Sequence, residues 1–133
     1  MAQLLDVSVA EVEQMTRDGR LFTLHDKAQG GVVYPLYQGL KGVAGARLEE
    51  ILRRFREASE DPQSRLDNFA IATFFVMPHV LLAWALPLEV LLGHRLYDSR
   101  LDSEALLYLS KDPDSRFSAV LGAVHDEVWH WRG

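Results

Sequence analysis

With 133 residues, 48% of them apolar and 25% charged, the chain has the size and balance of one ordinary globular domain, or of two small lobes sharing a core. Its lack of cysteine excludes disulfides, zinc–thiolate sites and thiol catalysis, and fits a cytoplasmic setting. The formal charge of −5 is uneven: residues 1–58 balance eight basic against eight acidic side chains and residues 59–133 hold six against eleven, so any nucleic-acid affinity must come from locally placed cations rather than a basic footprint.

The opening "MAQLLDVS" has no basic region followed by a long apolar run, the pattern of a signal peptide. "AQLLD" allows a turn or two of helix, with Leu4 and Leu5 expected to pack on Val12. Ser8 followed by Glu11 in "SVAE" is a capping box and predicts a helix start. Val9, Val12 and Met15 or Thr16 then share an inner face, Glu11, Glu13, Gln14 and Arg17 face outward, and Gly19 closes the helix in a left-handed cap. "LFTLH" and "VVYPL", separated by "DKAQGG", predict a β-hairpin that Pro35 ends.

"LYQGLKGVAG" reads as a glycine-rich joint between a lobe of residues 1–40 and one of 41–133. Leu48, Ile51, Leu52 and Phe55 stripe an amphipathic helix over about 46–58. Its "RRFR" gives Arg53, Arg54 and Arg56 a solvated face, with Glu49–Arg53 and Glu50–Arg54 pairs expected; a phosphate or acidic-partner patch is the alternative. Residues 67–76 predict a central helix, apolar nearly all round. Residues 69–92 are long and apolar enough to raise a membrane span, but Pro78, His79, Pro87 and Glu89 favour a buried core. Pro87 opens a short helix "PLEVLL" that Gly93 ends, "LDSEALLYLS" is another short helix, and Phe117, Val120, Leu121, Val124, Val128 and Trp131 stripe a terminal one. The fold class expected is mainly α: a helix–hairpin head followed by an all-helical lobe.

Within residues 4–38, "LLDVS…V…M…DGRLF…GGVVYPLYQ" resembles the excisionase/MerR-like winged helix-turn-helix, with the hairpin as wing. Residues 46–93 resemble the C-terminal, toxin-binding domain of Xre/MbcA/ParS-type antitoxins in three marks: Pro78, Leu82 four residues on, and Pro87-Leu88-Glu89-Val90-Leu91 nine residues on. Beyond residue 93 no resemblance is seen. The resemblance implies a bacterial DNA-binding regulator or antitoxin of a toxin–antitoxin system, with operator DNA and a cognate toxin as partners.

A reading helix needs donors for base edges and cations for phosphates, which Gln14, Arg17, Arg20 and Lys27 supply. Two-fold dimers are expected, since paired half-sites multiply weak contacts. Pro78, Leu82, Trp84 and Pro87 are the candidate partner-binding residues, joined by Trp129, which falls off the terminal stripe. The competing reading is a protein-interaction module with a degenerate helix-turn-helix that no longer binds DNA; the acidic balance, Glu11, Glu13 and the short first helix favour it.

Neither an enzyme nor a metal or cofactor site is expected. No nucleophile elbow, Walker loop or dinucleotide fingerprint is present, and His125 and His130 lie about 140° apart around a helix, off a shared face. His79 and His94 are expected to satisfy helix ends.

Overall fold

The computed structural model describes residues 1–96 and 101–132, which are mainly helical with one small sheet. Helix α1 (Ala2–Leu5) is a single turn. Helix α2 (Val9–Arg17) starts where Ser8 Oγ accepts the Glu11 N–H at 3.1 Å. Only Val12 is buried on α2. Val9 is 67% exposed, against its expected inner position, because a four-residue α1 is too short to cover it; Leu4 is half exposed for the same reason. Gly19 turns the chain at φ 78°, as expected of a left-handed cap, and the Arg20 N–H returns to the Met15 carbonyl.

Strands β1 (Leu24–His25) and β2 (Val32–Val33) pair antiparallel, Leu24 opposite Val33 and His25 opposite Val32. Asp26 builds the turn between them, its Oδ1 accepting from the Ala28 and Gln29 N–H groups. The glycine-rich stretch that follows sends two side chains into the interior. Gln38 and Val43 are buried, and Gln38 spans Phe22 at both ends: Oε1 accepts the Phe22 N–H and Nε2 donates to the Phe22 carbonyl, each at 2.9 Å.

Helix α3 (Ala46–Ser59) buries the predicted Leu48, Ile51, Leu52 and Phe55. On its outer face Arg53 pairs with Glu50 and Glu57, and Arg54 with Glu50. The expected Glu49–Arg53 pair does not form, because Glu49 faces Arg20 instead.

Helix α4 (Asn68–Phe75) is capped by Asp67. Ala70, Ile71, Phe74 and Phe75 point inward, with Phe74 edge-on to Phe55 and Phe75 stacked on Phe22. The helix is not central all round: Phe69 is 71% exposed, since the core lies on one side only. A loop with a 3-10 turn at Val80–Leu82 leads to α5 (Pro87–Leu92), which begins on its proline and ends at Gly93, as the sequence predicts.

Helices α6 (Ser103–Ser110) and α7 (Pro113–His130) complete the chain, capped by Asp102 and Asp112. Val120, Ala123 and Val124 of α7 are fully buried, and α7 packs on α3, α5 and the 80–82 turn. One apolar cluster runs from Val12, Leu21 and Phe22 through α3–α5 to α7. Among the described residues no helix is long and apolar enough to cross a membrane.

Candidate functional site

Two surfaces gather the residues singled out from the sequence. The first lies on α2. Gln14 Nε2 donates to Asp18 Oδ1 at 2.8 Å, and Arg17 Nη2 donates to Gln14 Oε1 at 2.8 Å. Arg20 faces Asp18 at 3.7 Å and Glu49 at 3.8 Å. Gln14 and Arg20 therefore meet at the Asp18 carboxylate, and Arg17 joins them through the Gln14 amide oxygen, so each of the three has a donor directed within the chain. Lys27 stands exposed at the hairpin turn, and no ion pair among the described residues ends on it. Helix and hairpin are joined by a 2.7 Å hydrogen bond between the Thr16 and Tyr34 hydroxyls, so the ribbon is held beside α2.

The second surface is the loop between α4 and α5, whose form comes from His79. That residue is buried, with its ring edge-on to Phe74. Its carbonyl accepts the Leu82 and Trp84 N–H groups, and its own N–H reaches the Ala85 carbonyl. Nδ1 accepts the Leu81 N–H at 3.1 Å, which places the ring proton of the neutral imidazole on Nε2, 3.4 Å from Asp126 Oδ2 of α7. One side chain thus ties the loop to itself and to α7.

The loop turns through Ala83 at φ 53° and Trp84 at φ 71°. That left-handed region is uncommon for any residue with a Cβ and unfavourable for one as bulky as tryptophan. The result is a row of outward apolar side chains: Met77 53%, Val80 56%, Leu81 48% and Trp84 61% exposed, with Val76 beside them.

The five candidate partner-binding residues divide. Pro78 and Trp84 are exposed on this loop, whereas Leu82 and Pro87 are buried beneath it and hold its shape. Trp129 is exposed on α7 with the Arg132 guanidinium 5.7 Å over its ring, in a shallow hollow with Asp61, Gln63 and His130. Glu89 is also buried: Oε1 accepts the Leu86 N–H at 2.9 Å and Oε2 the Leu96 N–H at 3.1 Å.

Sequence reasoning missed Phe69, Val76, Met77, Val80 and Leu81 as surface residues. With no charged residue anywhere in 68–88, the pattern gave no signal of which side would be left uncovered. His79 was expected at a helix end, but its part in shaping the exposed row was not legible. Of the other histidines, His94 Nδ1 lies 3.0 Å from the Arg95 carbonyl, His130 Nδ1 lies 2.8 Å from the Asp126 carbonyl, and His125 is exposed. Among the described residues no three His, Asp or Glu side chains cluster as metal ligands.

Comparison with protein-family profiles, with curated proteins and with solved structures finds no match to this chain.

Proposed function

We propose that this chain is a non-enzymatic protein-interaction module of antitoxin-like build, working in the cytoplasm, in which the hairpin-bearing head is a scaffold. The observation that carries the proposal is Trp84: a large indole, mostly exposed, held in left-handed backbone by a buried histidine. Unfavourable backbone costs about 1–2 kcal/mol, and such positions cluster where a surface has work to do. Tryptophan is also among the commonest interface anchors. On α2, Glu11 and Glu13 are exposed, and Gln14, Arg17 and Arg20 already point their donors at Asp18 and at each other, which favours the scaffold role.

The test is assembly. The chain is purified alone and co-expressed with the product of the adjacent reading frame, the source of a toxin if the resemblance holds, and its complexes are weighed. Trp84→Ala should weaken assembly, with itself or with that product, at least tenfold while the helical signal stays unchanged. Equal assembly by the variant would overturn the proposal.

A second reading, regulation of an operator, is favoured by one observation. The Thr16–Tyr34 bond sets a ribbon beside a helix with Gln14 and Arg17 outward, the relation a reading helix and wing require. Mobility shift at two salt concentrations decides it: DNA binding should fall steeply with salt and vanish on Arg17→Ala with Arg20→Ala.

A further inference from the structure

Resting on the interaction-module reading, we infer that the occupant of the exposed apolar face is a second copy of this chain, paired across a two-fold axis with the α4 helices antiparallel. Charge makes the first argument. The chain carries −5, so two copies repel over most of their surface, yet residues 68–88 contain no Asp, Glu, Lys or Arg. A charged partner would find nothing there to pair with; a second copy meets a face as uncharged as its own.

The layout of that face makes the second argument. Phe69 and Thr73 of α4, an eight-residue helix about 12 Å long, and Val76 at its C-cap follow i, i+4, i+7 spacing. At the N-terminal end of this helix a cleft of about 1160 Å³ opens against the hairpin, with Phe69, Leu24, Val32, Val33, Asp67 and Asn68 in its lining. Beyond its C-terminal end stand Leu81 and Trp84. In the inferred pairing, the cleft at the N-terminal end of α4 is the receptor and the exposed Trp84, reached beyond its C-terminal end, is the knob. A two-fold antiparallel pairing seats each copy's Trp84 at the other's cleft in a single closed contact, as isologous symmetry requires. Among the described residues the Trp84 indole N–H meets no acceptor, and the cleft lining offers carboxylate and amide oxygens from Asp67 and Asn68.

Area agrees. Phe69, Val76, Met77, Val80, Leu81 and Trp84 together expose on the order of 600 Å² per copy, counting an aromatic side chain at about 200 Å². The cleft wall brings this near the roughly 800 Å² per partner of a specific interface. An apolar face of that size stands at the upper end of what a monomer leaves uncovered.

Light scattering behind a sizing column, at about 100 μM chain, should give close to twice 15.1 kDa. Phe69→Glu and Trp84→Arg should each halve that mass with helical content unchanged, and Leu107→Arg, on exposed α6 surface, should not. Mixing the first two variants should restore the doubled mass, because antiparallel pairing leaves one corner native and sets the new carboxylate against the new guanidinium at the other. A wild-type mass of 15.1 kDa, or variants that stay dimeric, would overturn the inference. A monomer that loses the adjacent-frame product on Trp84→Ala ends the dimer and leaves the interaction module standing; a monomer that binds nothing ends both.

Discussion

Gln38 shows what a single buried amide can do. Its oxygen and nitrogen close on the N–H and carbonyl of Phe22, so the chain entering β1 is fastened by a side chain sixteen residues away. Gln38→Leu keeps the volume and leaves two backbone groups buried without partners, each costing roughly 1–3 kcal/mol. Thermal unfolding should move down by on the order of 10 °C; a shift below about 2 °C would show that water reaches Phe22. Glu50 is a case of charge rather than burial: hydrogen bonds from Arg53, then Arg54, pull its carboxyl from the ordinary glutamate range to about 2. Because the folded value is the lower one, this cluster's contribution is complete above the ordinary range and is lost as pH falls through about 2. The Glu50 carboxyl carbon should therefore titrate near 2 by NMR and return toward the ordinary range in Arg53→Gln. Gln38 was not legible in this role from the sequence, and Glu50 only in part. Gln38 lay in a stretch read as a joint, and Glu50 was paired correctly with Arg54 while Arg53 was assigned to Glu49. Register along one helix face is readable from spacing, but the choice between i+3 and i+4 partners is made by rotamers and by neighbours such as Arg20.

Element boundaries were far more legible, because caps and prolines act locally. Ser8, Asp67, Asp102, Pro87 and Gly93 mark their helix ends with no help from the rest of the molecule. Facing was harder. The run through α4 is apolar on every side, so periodicity could not show that Phe69 would look outward; on α2 the periodicity put Val9 inside, and the four-residue α1 is too short to cover it. The junction of α2 and α3 gives a test at this scale. Arg56 Nη1 donates to the Asp18 carbonyl at 3.0 Å, and its guanidinium fills the space that a Cβ on Gly19 would need. Gly19→Ala should then cost about 2–3 kcal/mol, from left-handed strain plus displacement of Arg56. In an Arg56→Ala background the same change should cost roughly 1 kcal/mol less, a coupling that denaturant titration of the four variants can resolve.

At the scale of the whole molecule, head and helical body share one apolar cluster, with Val12, Leu21 and Phe22 packed into the group that includes Phe75, Val90 and Val124. Unfolding should accordingly be a single transition, tryptophan emission and far-ultraviolet ellipticity falling together; an early loss of one signal would mean that the head opens separately. The mainly helical class and the placing of the hairpin were legible because they rest on local patterns. The exposed row at 76–84 was not, because it depends on which face of a greasy segment the rest of the chain fails to cover. Glu89 ties the far side of that segment shut: one carboxylate receives the amides of Leu86 and Leu96, ten positions apart, and so staples both ends of α5. Deuterium should therefore reach those two amides at a common slow rate, and Glu89→Ala should release both at once.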